Sequence, residues 1–463
     1  MHEFSAEVLR AYDIRGVFGE TLVEADAFAL GRTFGTHLWR SGGCSVVVGR
    51  DGRLSSPALE AALVDGLVRT GIEVVRIGLA ATPMLYFAEA TIGTVQAGIQ
   101  VTGSHNPRDH NGFKLVVGGA PFFGRDIARL GIMAAAGDWD MPAAPGKVEE
   151  RDILPAYVSR LMQELEGVDA ERLSSLRMAW DTGNGAAGPV IERLAALLPG
   201  EHHLLHTGVD GRFPNHHPDP TIEANLLDLR QRVRSNGLDL GVAFDGDADR
   251  LGVIDASGRI LNADRLLIAF ARDVLSRKPG GRVVADVKAS SSVFDTVHRL
   301  GGKAEMAPSG HSHIKARMKA TGAVLGGETS GHFFFADDWF GFDDGIYAAI
   351  RLIAGLVRDG ARASEIHDAA PAVVNTPELR FPVAEERKFP VVEEVRARLA
   401  ASNAQVNAID GVRVDTPDGW WLLRASNTQA ALTARAESAT EEGLGRLVAV
   451  IDEQLRMSGV SRT

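Results

Sequence analysis

The sequence predicts an α/β protein of several domains, and three observations carry that expectation. Short apolar strands alternate with helical patterns over most of the chain, which implies βαβ units and a mainly parallel sheet. With 463 residues, 45% of them hydrophobic and 24% charged, the chain exceeds one ordinary core and should divide into roughly three or four domains. The last quarter breaks the alternation and reads as a smaller α+β unit.

The first α/β pattern opens with Tyr12-Asp13-Ile14-Arg15-Gly16, followed by a strand at 45–49 and the polar loop Arg50-Asp51-Gly52-Arg53. Pro57 suits the first turn of a helix running to about residue 68. A strand at 73–77 and a helix near 83–90 lead into the buried strand 97–101. Asn106-Pro107 and Asn111-Gly112 are turn signals, with a further strand expected at 113–117. The Pro/Gly/Ala-rich stretch 141–146 is a linker candidate. A second pattern follows, with a helix at 153–165, strands at 177–180 and 239–244, and the stiff connection 213–220. The third has a strand at 283–287, a helix at 291–299, a turn at 308–313 opening a helix to 319, and a strand at 324–327. The final unit has a strand at 378–383, a helix at 391–399, a hairpin-like stretch to 426 and a closing helix at 441–457.

A formal net charge of −11 with no basic stripe argues against nucleic acid as a partner. If the substrate is an anion, local Arg, Lys or metal charge must reverse the global field. The single cysteine, Cys44, precludes an intrachain disulfide and suits a reducing compartment. Its place before an apolar strand predicts a buried small hydrophobe. The first residues lack a signal-peptide pattern, and no apolar run approaches the roughly 18 residues of a membrane span, so a cytoplasmic protein without membrane contact is expected.

Four loops carry chemistry. Thr102-Gly103-Ser104-His105-Asn106-Pro107 follows a buried strand, where open α/β sheets place their ligand chemistry, and Lys114 is close in sequence. Asp245-Gly246-Asp247-Ala248-Asp249-Arg250 puts carboxylates at alternate positions with small residues between, which lets them converge on a hard cation such as Mg²⁺. A calcium EF-hand is excluded, because Arg250 and Ala256 stand at its glycine and glutamate positions. Arg250 would suit a phosphate oxygen beside the metal. Gly327-Glu328-Thr329-Ser330-Gly331-His332 offers three hydrogen-bonding groups at alternate positions, suited to a polyol, although a capping box would look similar. Arg424-Ala425-Ser426-Asn427-Thr428 is either a phosphate cradle or a polar turn. His216 and His217 read as a proline-tethered loop and not as a zinc site, since no third nitrogen or sulfur ligand stands at suitable spacing.

In order along the chain, these four motifs resemble those of the α-D-phosphohexomutase family. Tyr12-Asp13-Ile14-Arg15-Gly16, the 213–220 connection and Trp339-Phe340-Gly341-Phe342-Asp343-Asp344-Gly345 are similar to it as well. The resemblance implies three similar mixed α/β domains (1–149, 150–256, 257–370) and a smaller α+β C-terminal domain (371–463) around a central cleft. It implies a mutase that interconverts hexose 1-phosphate and hexose 6-phosphate through a phosphoserine and a hexose 1,6-bisphosphate. Ser104 would carry the phosphoryl group, with Mg²⁺ on Asp245, Asp247, Asp249 and the phosphoserine. Arg250 would contact that phosphate, and His105, Lys114 and Arg15 would surround the reacting oxygen. Proton transfer is left to Lys114, Arg15 or His311. Glu328 and Ser330 would grip sugar hydroxyls with His332 and Lys288 nearby. Tyr12 would join the substrate site, and Arg424, Ser426, Asn427 and Thr428 would hold the non-reacting phosphate. Glucose 1,6-bisphosphate would act as activator, and the protein would be a monomer or weak dimer. Two departures from the family pattern stand out: Gln429-Ala430 where a proline is usual, and Ala248 where glycine is common, with no ligand lost at either.

The Ser-Gly-His ending of the sugar loop resembles members accepting both glucose and mannose phosphates. A site gripping hydroxyls away from C2 separates C2 epimers weakly. The alternatives are a phosphoglucosamine mutase and, outside the class, a Mg²⁺-dependent sugar-phosphate phosphatase, which has little use for the Arg424 loop. A non-catalytic sensor would not need Ser104. A serine hydrolase is excluded, because Thr102 stands where the nucleophile elbow needs glycine.

Overall fold

The protein is described by a computed structural model at all residues except 6, 11, 370, 403, 427–429, 462 and 463. Four sheets run along the chain in sequence order. In the first, strand Ser45–Arg50 pairs in parallel with Glu73–Leu79 and with Ala97–Val101, whose five residues are all buried. His110–Val117 then pairs antiparallel with Ala97–Val101 on one side and with Ile14–Val17 on the other. The second sheet places Arg177–Asp181 between Glu201–Leu205 and Leu240–Phe244, both parallel to it, with Leu251–Asp255 antiparallel beyond. The third repeats the plan: Arg282–Asp286 is parallel to Lys303–Ala307 and Leu325–Gly327, and Phe333–Phe335 closes antiparallel on the latter. The fourth sheet is antiparallel throughout and packs on helices Lys388–Ala401 and Glu441–Met457.

Each sheet thus ends one buried strand in an antiparallel hairpin, and each hairpin link is one of the four chemical loops. Ser104 lies between Ala97–Val101 and His110–Val117, and the aspartates lie between Leu240–Phe244 and Leu251–Asp255. Glu328–His332 links Leu325–Gly327 to Phe333–Phe335, and Ser426 follows Gly419–Ala425 before Ala431–Ser438. The first three sheets are mixed, where the strand-helix alternation alone suggested mainly parallel ones. Alternation cannot reveal a return strand that follows without a helix.

Two local expectations are corrected. Asn111 and Gly112 do not turn the chain but lie inside strand His110–Val117, opposite Gly16 and Arg15. Gly112 is there for close approach: a Cβ would stand 2.1 Å from Ile14 O. Asn111 Nδ2 donates to the hydroxyls of Ser55 and Ser56. Cys44 is exposed, because it precedes the strand and not within it.

One face of each of the first three sheets shares a continuous apolar cluster from Val47 to Ala363, the other face of the first sheet packs a separate core around Leu30, Leu63 and Ile99, and the C-terminal sheet has its own core around Trp421, Leu423 and Ile451. Only a small cluster of Val287, Trp420 and Leu422 joins the two bodies among the described residues. Arg413 and Arg435 add to that joint by donating to carbonyl oxygens of Val287, Ala289 and Lys288, as do Ser291, whose N–H and hydroxyl donate to Glu437 Oε1, and the Ser309 N–H, which donates to Asp410 Oδ2. No helix is long and apolar enough to cross a membrane among the described residues.

Candidate active site

Ser104 sits 2% exposed at the floor of a cleft of about 660 Å³ lined by residues of all four sheets' domains. Its backbone is left-handed, with φ of 49°, a conformation that costs a non-glycine residue about 1 kcal/mol. The backbone N–H of Ser104 donates to Thr102 Oγ1 (2.8 Å), and its Oγ donates to Asp245 Oδ2 at 3.0 Å. His105 Nδ1 lies 3.2 Å from the same Oγ. Burial, and then the Arg250 and Arg15 charges, hold the His105 imidazole neutral, well below its ordinary range.

Asp245, Asp247 and Asp249 converge directly beneath, each fully buried. Burial and the two neighbouring carboxylates raise Asp245. Lys114 Nζ donates to Asp247 Oδ2 (2.7 Å) and to Asp249 Oδ2. Burial opposes the Lys114 ammonium, but these two carboxylates outweigh it and keep the group charged. Oδ1 of Asp247 and Oδ1 of Asp249 remain buried without a hydrogen-bond partner among the described residues. Three convergent carboxylates with orphaned oxygens are the donor set a hard divalent cation uses, so the residues fit Mg²⁺. Thr82 ties the loop to the first domain through Asp247 Oδ2 (2.6 Å) and Asp247 O. Ala248 loses no ligand, but its φ of 63° means that it bears strain a glycine would escape.

Arg250 Nε donates to His332 Nε2 (3.0 Å) and stands 4.0 Å from Asp245 Oδ2. His332 Nδ1 lies 3.2 Å from Asp343 Oδ2, and His311 Nδ1 lies 3.4 Å from the same oxygen. The two imidazoles stack at 5.5 Å. Burial and the nearby Lys315 ammonium hold His311 neutral. Glu328 Oε1 accepts the Gly310 N–H (2.6 Å), and burial raises its carboxyl. Glu328, Ser330 and His332 all line the cleft, together with Lys288 and His311.

The far wall comes from the C-terminal domain. Arg424 and Ser426 line the cleft, and Arg424 Nε is held by Asp410 Oδ2 at 2.9 Å. Asn427 and Thr428 lie outside the described residues. Tyr12 reaches across from the first domain to donate to Ser309 O (3.0 Å). Arg15 spans Asp13 Oδ2 and Asn106 Oδ1 (2.8 Å), so it braces the Ser104 loop and faces the cleft. Arg10, Arg15, Lys114, Arg250, Lys288, Arg380 and Arg424 line this cleft against Asp13, Asp219, Glu328 and Glu378. The cleft therefore carries positive charge within an acidic chain, as an anionic substrate requires.

Four family profiles match in sequence order: the phosphoglucomutase/phosphomannomutase alpha/beta/alpha domains I (residues 6–135), II (155–258) and III (262–373), and the C-terminal domain (378–454). The chain belongs to this family. A phosphomannomutase/phosphoglucomutase of Pseudomonas aeruginosa is 43% identical over 451 residues, 97% of this chain and 96% of that protein. A phosphoglucomutase of Neisseria gonorrhoeae is 40% identical over 449 residues, 96% of each chain. The crystal structure of a phosphoglucomutase/phosphomannomutase family protein from Burkholderia thailandensis superposes with a TM-score of 0.91 at 40% identity, over 98% of each chain.

Within this phosphohexomutase frame, the structure gives a place to residues to which the sequence assigned no role. Asp343 receives both cleft histidines and Lys315 Nζ (2.7 Å), and Asp410 orients Arg424. Each is a single side chain reaching in from another element, so no local spacing could reveal it, although Asp343 lies in a segment the resemblance had noted. The structure brings His206 and Asp181 near His216, a trio of two imidazoles and one carboxylate. Both His216 nitrogens are already engaged, Nε2 with Asp181 Oδ2 (2.9 Å) and Nδ1 with His217 O (3.0 Å), and His206 Nε2 turns to Asp228 Oδ2 (3.2 Å). A tethered loop accounts for these contacts.

Proposed function

We propose that the protein interconverts the 1- and 6-phosphates of glucose and mannose, with Ser104 as phosphoryl carrier. One observation carries this: Ser104 Oγ lies at the cleft floor beside a buried carboxylate cluster, and Arg424 and Ser426 line the same cleft from another domain. A transfer site and a separate phosphate-holding site are what a mutase needs and a phosphatase does not. The names of the Pseudomonas and Neisseria relatives support the substrate class.

In the forward half-cycle the bond between Ser104 Oγ and phosphorus breaks as a sugar hydroxyl oxygen bonds to that phosphorus. The hydroxyl proton leaves to a base in the cleft. Neutral His311 suits that task, whereas Lys114, held charged by Asp247 and Asp249, suits charge neutralisation. The bisphosphate then turns over, the other phosphoryl group returns to Ser104, and the proton goes back to the newly freed sugar oxygen. Asp245, Asp247, Asp249 and phosphorylated Ser104 would hold Mg²⁺, which when bound neutralises charge on the transferring group. Arg250 and Arg15 add fixed positive charge at the same end. Arg424 and Ser426, with Asn427 and Thr428, grip the phosphate that does not react. Glu328 and Ser330 take sugar hydroxyls, with Lys288, His332 and Tyr12 completing the wall. Because these groups need not touch the C2 hydroxyl, both epimers turn over.

Glucose 1,6-bisphosphate activates by phosphorylating Ser104. The protein works as a monomer or weak dimer in the cytoplasm, away from nucleic acid and membranes. We keep domain limits close to those expected from sequence. We place the first limit after Glu150, because Val148–Glu150 pairs with the first sheet, and the second after Leu261, because Ile260–Leu261 pairs with the second. Phosphorus NMR of the protein with Mg²⁺, a trace of glucose 1,6-bisphosphate and either hexose 1-phosphate tests the function. Both 1-phosphates should convert to 6-phosphates. Accumulation of inorganic phosphate instead would make the protein a phosphatase, and turnover of one sugar alone would overturn dual specificity.

A further inference from the structure

Arg53 does not line the cleft, yet its guanidinium gathers the loop that carries Ser104. The side chain is fully buried. Its Nη2 donates to Ser104 O (2.7 Å) and Asn106 O (2.6 Å), and its Nη1 donates to Pro107 O and to His110 O (3.0 Å). Nε faces Asp51 Oδ2 at 3.2 Å. That carboxylate also accepts from Thr102 Oγ1 (2.9 Å) and from the Gly103 N–H (3.1 Å). Asp51 therefore takes the donors just before Ser104, and Arg53 takes the acceptors from Ser104 onward.

Several contacts leave this clasp no slack. A Cβ on Gly103 would stand 2.4 Å from Arg53 Nε, and one on Gly246 would stand 2.5 Å from Ser104 O. The Ser104 carbonyl is thus wedged between the guanidinium and the metal loop. Phe213 closes the other side, its ring 5.2 Å from the guanidinium carbon. Four backbone carbonyls facing one cation force the chain into a tight arc, and Ser104 adopts its left-handed backbone within that arc. A planar fork with two doubly donating nitrogens matches four acceptors, whereas an ammonium has three donors and no fixed plane.

We infer that Arg53, braced by Asp51, is a positioning residue for phosphoryl transfer: it holds residues 104–110 in the arc that aims Ser104 Oγ at Asp245. This rests on Ser104 being the phosphoryl carrier. The test compares Arg53→Lys and Arg53→Met with the parent full-length protein, using glucose 1-phosphate, circular dichroism, thermal melting and the phosphorus resonance of phosphorylated Ser104. Folded Arg53→Lys should lose about a hundredfold in kcat, the scale of a misplacement near 1 Å. Its KM should stay within about threefold, since Arg53 meets no substrate, and uniform binding is untouched. The phosphoserine resonance should shift or broaden, which a simple loss of stability would not cause in the folded fraction. A kcat close to the parent's in either folded variant would overturn the inference, and so would a change in KM alone. Failure of both variants to fold would also overturn it, because Arg53 would then serve the fold and not the loop. Ser104→Ala, run alongside, separates the two readings. If it stays active, the phosphoserine assignment falls. If it is inactive while Arg53→Lys works normally, only the role of Arg53 falls.

Discussion

At the scale of single residues, the site is a set of charges whose environments assign their tasks. Arg424 is held by Asp410 on the wall remote from the aspartates, so it can grip a phosphate without touching the transfer step. Losing a charge-assisted hydrogen bond costs about 1.5–3 kcal/mol, so Arg424→Ala should raise KM for glucose 1-phosphate by about 10- to 100-fold, as steady-state kinetics would show. A second residue reports on stability instead. Asp344 caps helix Gly345–Asp359 by accepting from Tyr347 N, and it also accepts from the Tyr157 hydroxyl. Burial pushes its carboxyl up from 3.8 to about 7. A carboxyl whose folded pKa is raised favours the fold most below its unfolded pKa, and that contribution is lost as pH rises through the folded value. Asp344→Asn keeps an acceptor and cannot ionise. Its stability relative to the parent should therefore improve by on the order of 2–4 kcal/mol between about pH 4 and pH 8. Urea unfolding across that range measures it, and a pH-independent difference would contradict it.

At the scale of elements, all four chemical loops are the links of antiparallel hairpins, and this explains what could be read from sequence. The aspartates at 245, 247 and 249 and the Ser104 loop are contiguous, so their spacing alone announced a cation site and a strand-end loop. Strands and helices were legible because their apolar periodicity is local. Asp343, Asp410, Asp51 and Arg53 were not, since each acts across a gap in sequence that no periodicity spans. Asn111-Gly112 misled for a related reason: this glycine serves a close approach between strands, and composition cannot distinguish that from a turn. Gly246 shows the same demand between domains, because Ser104 O occupies the place of its missing side chain. Gly246→Ala must push the Ser104 loop and the aspartate loop apart. A kcat loss of about a hundredfold is expected, with helical content retained by circular dichroism.

At the scale of the whole molecule, one apolar cluster runs through the first three domains and the fourth has its own, joined to them by a small patch and by polar contacts that include Arg413, Arg435 and Glu437. The first body holds Ser104, the aspartates and the sugar loop in fixed relation. The second carries Arg424, and in the proposed cycle it is the part that would open for exchange and close against water. Closure matters because a phosphoserine exposed to solvent would hydrolyse, wasting the group the cycle must conserve. A −11 chain with a cation-lined cleft also draws an anionic sugar phosphate to one place on its surface. Everything in the proposed cycle turns on Ser104 as the carrier of the phosphoryl group. The most direct measurement loads the protein with ³²P from labelled glucose 1,6-bisphosphate, maps the labelled peptide, and chases it with unlabelled glucose 6-phosphate. Label should reside on Ser104 alone, pass into the hexose phosphates at the rate of turnover, and fail to load in Ser104→Ala. Label on another residue, or its release as inorganic phosphate in step with turnover, would contradict the claim.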